Sequence, residues 1–293
     1  MGTMNAARPG DDCSAGARSN GVPVIGALAR ACHPGPSLAV TAFATAMAIG
    51  SGRRCGALPV AAAVLSGQLS VGWSNDYIDR DRDRRAGRTD KPIVAGAIGA
   101  ETVRAAAAAA AVACVPLSLL SGWRAATVHG AAVTAAFGYN ARLKGTAASV
   151  VPYLGAFGAL PAFVTLGGSP RRWPSSSTVL AAALMGAGAH FVNTLPDLEA
   201  DASTGIRGLP HRLGHQGSLV AGVSLLGVAA AAVARSGDEP LGRVGQVLCA
   251  AAASSVAGVV AAAATGRPRL AWRLALCTSG VTVALFLSRQ RVR

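Results

Sequence analysis

Long runs of apolar residues constrain the fold of this chain more than any other feature of its 293 residues. A helix of about 20 apolar residues crosses a bilayer, and runs approaching that length, rich in Ala, Gly, Val and Leu, follow one another along most of the chain. We therefore predict an all-α polytopic membrane protein with about nine transmembrane helices. The predicted spans are 36–50, 57–77, 103–121, 124–138, 149–167, 177–196, 217–235, 242–264 and 270–288.

Composition favours a membrane protein over the alternative, a soluble Ala-rich helical bundle. Only 14% of the residues are charged, whereas a soluble domain carries about 25%. An outer helix of a soluble bundle also needs a polar stripe, which these runs lack. We expect a single transmembrane domain over residues 25–293. A disordered tail is expected to precede it over residues 1–24, where Gly, Ser and Asp occur without periodicity.

The net charge of +14 does not indicate nucleic-acid binding. The basic residues are spread through short loops between apolar runs, without the basic patch and interleaved aromatic residues of a nucleic-acid interface. The larger share of the 27 Lys and Arg falls in segments on one side of the predicted spans. By the positive-inside rule, we expect a plasma-membrane protein with a cytoplasmic N-terminus, in contact with lipid and with no nucleic acid.

The acidic residues are few and clustered. Most of the 13 Asp and Glu fall in two windows, each at the C-terminal end of an apolar run and both on the predicted cytoplasmic side. Ionisable groups at such depth are costly and normally face a cavity with a function. The two windows contain Asp76, Asp79, Asp81, Asp83 and Asp90, then Asp197, Glu199 and Asp201.

The first window places several oxygen ligands on one helix face. Asn75, Asp79 and Asp83 step by four residues, and Asp76 lies three before Asp79, so the four side chains share a face. Crowded carboxylates repel unless a cation lies among them. Mg²⁺ suits the position because it takes oxygen ligands and bridges carboxylates to phosphates. The alternative is a solvated helix end with salt bridges to the interleaved arginines, to which Asp81 on the opposite face would belong.

The second window repeats this pattern, since Asn193, Asp197 and Asp201 again step by four residues. An amide and two carboxylates on one helix face, found in two separate spans, favour a shared metal site over two solvated helix ends. Glu199 points elsewhere and is expected to be solvated. Pro196 is expected to kink the helix and open the cavity.

These motifs resemble those of the UbiA-type membrane prenyltransferase family. Residues 75–83 match its first motif, Asn-Asp-x-x-Asp-x-x-x-Asp, and residues 197–201 resemble its Asp-x-x-x-Asp motif. Residues 88–92 are similar to the basic-Pro stretch that closes its first loop. Residues 139–144 resemble its Tyr…Lys motif, with one residue more than the commonest spacing. The likeness extends from about residue 25 to the C-terminus.

The resemblance implies a fold and an activity. The fold is nine helices around a central cavity, capped by the two acidic loops. The activity is transfer of a prenyl group from an isoprenoid diphosphate to an acceptor, commonly an aromatic ring, with Mg²⁺ as cofactor. Two alternatives on the same scaffold stay open: a membrane terpene cyclase and a non-enzymatic transporter or lipid carrier.

This chemistry assigns expected roles to individual residues. The candidate catalytic residues are Asp76, Asp79, Asp197, Lys144 and His190. Two Mg²⁺ ions would be held by Asn75, Asp76, Asp79, Asp83, Asn193, Asp197 and Asp201. The diphosphate would be bound by Arg88, Lys144, Arg142 and Tyr139. His190 would orient the acceptor or take its proton, the alternative being a buried, hydrogen-bonded histidine. For Tyr139 the alternative is an interfacial aromatic.

Overall fold

The computed structural model describes residues 24–235 and 240–289, and these ranges contain helices and turns but no β-strand. The helices in chain order are α1 (Val24–Ala31), α2 (Pro34–Gly50), α3 (Ala57–Arg85), α4 (Ala100–Leu119), α5 (Trp123–Ala141), α6 (Val151–Leu166), α7 (Ser176–Thr194), α8 (Leu198–Ser203), α9 (Leu209–Arg235), α10 (Arg243–Ala264) and α11 (Pro268–Arg289). Short 3-10 turns, Leu143–Gly145 and Leu195–Asp197, follow α5 and α7. The predicted N-terminal tail lies outside the described residues, except Val24, with which α1 begins.

The all-α prediction is confirmed, and each predicted span corresponds to one long helix of the described chain. These helices are α2 to α7 and α9 to α11. Six are long and apolar enough to cross a membrane by length and composition: α3, α4, α7 with its continuation to Ser203, α9, α10 and α11. α6 is a shorter apolar helix. The helix limits fall near the predicted ones, with the largest differences at α3, which continues to Arg85, and at α9, which begins at Leu209.

The long helices pack in a ring. α2 packs on α3, which also packs on α4 and α5. α5 packs on α6, α6 on α7, and α7 on α9. α10 packs on α11, and α11 packs on both α9 and α2, which closes the ring. Small residues allow close approach between these helices: a Cβ on Gly188 of α7 would lie 3.0 Å from the Gly222 carbonyl oxygen of α9. The main core contains the buried rings of Phe43, Phe163 and Phe286.

The polar end of α3 is helical because its charges suit a helix C-terminus. Arg82, Arg84 and Arg85 lie in the last turn, where positive charge opposes the negative end of the helix dipole. Gly87, with a φ of 66°, follows the helix, and its amide donates to the Arg84 carbonyl (3.1 Å). A left-handed residue at this position favours glycine and ends a helix, so the chain turns back and the following loop lies against α3.

α1 and the loop after α3 form a small second core at this end of the molecule. Ala27 of α1 belongs to one buried cluster with Ile93 and Ile98. The Trp73 indole Nε1 donates to the Leu28 carbonyl (2.8 Å), which fastens α1 to α3 just before the acidic face begins. The N-terminal helix therefore lies next to the polar end of α3.

Candidate active site

The first acidic segment forms a buried carboxylate face on α3. Asp76, Asp79 and Asp83 expose 1%, 3% and 5% of their surface. Lysines from later in the chain neutralise two of them: Lys91 Nζ donates to Asp76 Oδ1 (2.9 Å), and Lys144 Nζ donates to Asp79 Oδ2 (2.6 Å). Because charges removed from water are costly unless they are paired, the two lysines stabilise the buried carboxylates of Asp76 and Asp79.

A polar pocket of ≈ 410 Å³ lies beside Asp79. Lys144, in the 3-10 turn after α5, lines it, and so does Arg82, which forms an ion pair with Asp79. Arg142, exposed at the C-terminal end of α5, lines the same pocket. The structure therefore brings two of the predicted diphosphate ligands, Lys144 and Arg142, to one opening next to a predicted metal ligand.

The second acidic segment departs from the prediction of one helix face. α7 ends, a 3-10 turn follows, and the short α8 begins directly after it. Pro196, in the 3-10 turn, explains the break because proline has no amide proton and its ring clashes with the carbonyl four residues earlier. Asn193 therefore lies on α7, Asp197 on the 3-10 turn and Asp201 on α8.

The two acidic segments nevertheless meet. Arg88, in the loop after α3, lies 3.6 Å from Asp197 and 3.3 Å from Asp90. Desolvation alone would lower the pKa of Arg88, but the carboxylates of Asp197 and Asp90 raise it above its usual range. Asp201 lies 3.6 Å from the ring of His211 on α9. One basic loop thus connects the carboxylate face of α3 with the second acidic segment.

The remaining members of the two windows are less enclosed. Asn75 is half-buried on α3 and Asn193 is exposed at the end of α7, and neither side chain forms a hydrogen bond within the described part of the chain. Asp81 is exposed on the opposite face of α3, where it pairs with Arg84 (3.0 Å). Glu199 is exposed as well. The expected placement of Asp81 and Glu199 away from the site agrees with these positions.

His190 lies in a cluster of aromatic rings contributed by α5, α6 and α7. It is 2% exposed, Tyr153 stacks on it with centroids 4.5 Å apart, and Tyr139 meets Tyr153 edge-on at 5.2 Å. His190 Nε2 lies 3.1 Å from Ser149 Oγ, which accepts a hydrogen bond from the Leu209 amide (2.9 Å). His190 Nδ1 is buried with no partner among the described residues. His190 is therefore hydrogen-bonded on one ring nitrogen only.

Gly208 brings the loop after α8 against the Lys144 turn. A Cβ at this position would lie 2.5 Å from the Lys144 carbonyl oxygen and 3.1 Å from Ser149 Oγ. A side chain does not fit at such distances, so glycine is required for this approach. The contact connects the second acidic segment with the lysine that neutralises Asp79 and with the serine that holds His190.

Lys91, Ser149 and Tyr153 are among the residues of the site that were not predicted as site residues. Lys91 lies in the basic-Pro stretch, and its signal was present in the sequence: a buried carboxylate needs a cationic partner, and Lys91 is close to Asp76 in the chain. Ser149 and Tyr153 carry no comparable signal, because only the folded chain brings them to His190.

The site offers ligands of the type that Mg²⁺ takes. Asp76 Oδ2 is buried without a hydrogen-bond partner, and the Asp83 side chain forms no ion pair within the described ranges, so carboxylate oxygens are free on the α3 face. These ranges contain no ready-made group of three or more His, Cys, Asp and Glu side chains able to hold a metal ion. Lysine and arginine side chains lie on the other carboxylate oxygens. The donor set fits Mg²⁺ in kind.

Fold and site together define an integral membrane protein in which two acidic segments meet at one end of a ring of long helices. A model of the UbiA prenyltransferase family matches residues 36–237, and the chain belongs to that family. No curated protein sequence matches it. The predicted family is thereby confirmed.

Solved structures share the fold along nearly the whole chain. The apo structure of a UbiA homolog from Aeropyrum pernix K1 aligns with a TM-score of 0.66 and 23% identity, covering 90% of this chain and 97% of that one. A UbiA homolog from Archaeoglobus fulgidus bound to DMAPP and Mg²⁺ aligns with a TM-score of 0.66 and 17% identity, covering 91% and 99%. A structure of digeranylgeranylglyceryl phosphate synthase gives a TM-score of 0.66 and 16% identity, covering 91% and 97%.

Proposed function

We propose that this protein is an Mg²⁺-dependent intramembrane prenyltransferase that moves a prenyl group from an isoprenoid diphosphate to an aromatic or other nucleophilic acceptor. The observation that carries the proposal is the meeting of two acidic segments, with their lysine and arginine partners, at one end of a ring of apolar helices. Family membership and the Archaeoglobus homolog bound to DMAPP and Mg²⁺ support it. From the charge bias of the loops, we assign the acidic end to the cytoplasmic side of the plasma membrane.

The acidic and basic side chains have complementary tasks at the diphosphate. Two Mg²⁺ ions, when bound, would act as Lewis acids on the leaving group. Their proposed ligands are Asn75, Asp76, Asp79, Asp83, Asn193, Asp197 and Asp201. Arg88, Lys91 and Lys144 supply fixed positive charge where negative charge grows as the diphosphate departs, which is worth more in a water-poor site than in water.

The aromatic cluster is suited to stabilise the prenyl group of the substrate once it has become a cation. Breaking the carbon–oxygen bond leaves an allylic carbocation, and a cation within about 6 Å of an aromatic ring face is stabilised by the ring quadrupole. Tyr139 and Tyr153 supply such rings, and the surrounding apolar helices keep water from the cation. The acceptor carbon then attacks the cation, and the proton that it loses passes to the departed diphosphate, which is a base.

His190 is better arranged to orient the acceptor than to take its proton. Ser149 Oγ accepts from the Leu209 amide, so its own hydroxyl proton is available to His190 Nε2. The imidazole proton then lies on Nδ1, which has no partner among the described residues. A neutral ring in this tautomer donates from Nδ1, so His190 would bind an acceptor oxygen.

Diphosphate release tests the proposal directly. The protein would be purified in detergent and assayed with radiolabelled dimethylallyl, geranyl and farnesyl diphosphates, with and without phenolic acceptors, and with Mg²⁺ or a chelator. We expect Mg²⁺-dependent release and a prenylated acceptor identified by mass spectrometry. Asp79→Ala and Asp197→Ala should each abolish release. If both variants release diphosphate as the parent does, the proposed mechanism is rejected.

The same assay separates the alternatives on this scaffold. Release without acceptor, accompanied by a cyclic hydrocarbon or alcohol, would identify a terpene cyclase. Binding of a prenyl diphosphate without release would identify a carrier. Release that depends on the acceptor and yields an acceptor conjugate would identify a transferase.

A further inference from the structure

His33, at the start of α2, has an unusual backbone conformation. Its φ of 54° and ψ of 68° lie in the left-handed region, and it is the one residue other than glycine with a positive φ among the described residues. Glycine or asparagine adopts this conformation more easily than histidine. The side chain makes no capping hydrogen bond to α2, so helix capping does not account for an imidazole here. Strained residues held by their surroundings concentrate at functional sites.

The turn that contains His33 is fixed against α3. A Cβ on Gly72 of α3 would lie 2.5 Å from the Cys32 carbonyl oxygen, so the two backbones are in close contact. The same carbonyl accepts a hydrogen bond from Ser37 Oγ (2.9 Å). The Trp73 bond to α1 adds a third attachment. These contacts hold the His33 backbone against α3 near Gly72, which lies about one helical turn before Asp76 on the same helix.

The His33 ring contacts the ammonium that neutralises Asp76. His33 Nε2 lies 3.1 Å from Lys91 Nζ, and Lys91 Nζ donates to Asp76 Oδ1 at 2.9 Å. An ammonium can only donate, so Nε2 accepts and the ring proton lies on Nδ1. Desolvation, followed by the positive charges of Lys91, Lys144 and Arg88, lowers the pKa of His33 to about 4, which keeps the ring neutral and able to accept at neutral pH.

We propose that His33 is a positioning residue of the metal–diphosphate site: by accepting from Lys91 it keeps the ammonium on one oxygen of Asp76 and leaves the other oxygen free for a divalent cation. The free oxygen is Asp76 Oδ2, which is buried without a partner among the described residues. The inference rests on the proposed function. It concerns a residue that precedes the range 36–237 matched by the family model.

Without the imidazole, the ammonium would be free to cover both oxygens of Asp76 and to compete with the cation. Partners one shell away from a metal ligand typically change metal affinity by about 10–100-fold when they are removed. We therefore expect His33→Gly to bind a divalent cation about tenfold more weakly. Glycine is chosen because it relieves the backbone strain, so that any loss comes from the missing ring.

The test measures Mn²⁺ binding by electron paramagnetic resonance in detergent, with Mn²⁺ as a probe for Mg²⁺, in the parent, His33→Gly, His33→Ala, Lys91→Met and the double variant His33→Gly/Lys91→Met. His33→Gly and His33→Ala should weaken binding equally, although only the alanine variant keeps the strained backbone. In the Lys91→Met background, His33→Gly should have no further effect, because the competing ammonium is gone.

Two outcomes would overturn the positioning role. One is a Mn²⁺ affinity of His33→Gly equal to that of the parent, and the other is the same loss of Mn²⁺ affinity from His33→Gly whether Lys91 is present or replaced by Met.

Nitrogen-15 NMR of labelled histidine adds a readout that needs no turnover. The signal lost in His33→Gly should show a protonated Nδ1 and an unprotonated Nε2. A parent protein that releases no diphosphate with Mg²⁺ would reject the proposed function, whereas equal Mn²⁺ affinities would reject only the role of His33.

Discussion

The two acidic segments share one sequence spacing but differ in structure. On α3 the helix is continuous, the carboxylates of Asp76 and Asp79 are almost fully buried, and each has a lysine within 2.9 Å. In the second segment the helix breaks at Pro196 and the Asp197 side chain is 49% exposed, 3.6 Å from its nearest basic partner. We therefore expect the first segment to contribute to folding as well as to the proposed chemistry, and the second to contribute to the proposed chemistry alone.

The largest expected effect concerns turnover at the first segment. Asp79→Asn keeps the shape of the side chain but removes the charge that faces Lys144 and the proposed metal, so kcat/KM should fall about 10³-fold. Asp81→Asn is the matched control on the same helix, because Asp81 is exposed on the opposite face, and its activity should stay close to that of the parent. Equal losses in the two variants would show that the acidic face has no special role.

Removal of a charge should change the free energy of unfolding much more in the first acidic segment than in the second. Asp76→Asn removes the carboxylate that pairs with the buried Lys91 ammonium, which should lower the free energy of unfolding by about 3–5 kcal/mol. Asp197→Asn removes a half-exposed charge and should change it by no more than about 0.5 kcal/mol. Thermal unfolding of the metal-free proteins in detergent measures both values. Similar losses in the two variants would contradict the structural difference between the segments.

The connection between the segments can be tested at Gly208. The Cβ of Gly208→Ala would lie 2.5 Å from the Lys144 carbonyl oxygen, so the Lys144 turn must move, at a cost of about 1–3 kcal/mol. KM for the prenyl diphosphate should rise. Gly130→Ala on α5 is the control, because its Cβ meets nothing within 4 Å and alanine favours helices. A Gly208→Ala protein with the stability and KM of the parent would show that the contact does not position Lys144.

The smallest expected effect comes from making the second segment resemble the first. Pro196→Ala removes the helix break and should let α7 continue, which shifts Asp197 relative to Arg88. We expect a loss of about fivefold in kcat/KM, equivalent to about 1 kcal/mol. Circular dichroism should show a small gain in helix. An unchanged rate together with that gain would mean that the break has no catalytic importance.

The first acidic segment could be predicted from the sequence more completely than the second. The ring of long helices and the acidic face of α3 could be predicted, because apolar length and a four-residue spacing are local properties of a helix. The second segment was only partly predictable: Pro196 was expected to kink the helix, but the spacing of Asn193, Asp197 and Asp201 suggested a common face that the 3-10 turn does not provide.

The partners of the site could not be predicted from spacing. Lys144 was expected at the diphosphate, but its contact with Asp79 joins residues 65 positions apart. Ser149 reaches His190 across 41 positions, and His33 reaches Lys91 across 58. Such contacts depend on how whole helices pack, and no period or motif in one sequence reports that packing.

The pairing of Asp79 with Lys144 also sets an order of events during biosynthesis. The chain is made from its N-terminus, so the end of α3 emerges well before its partner, which follows 65 residues later. Of the two basic side chains that form ion pairs with Asp79 in the described part of the chain, Arg82 and Lys144, only Arg82 precedes α4 and α5. We therefore expect the acidic face of α3 to stay near the aqueous boundary until the two following helices have been inserted and Lys144 can pair with Asp79.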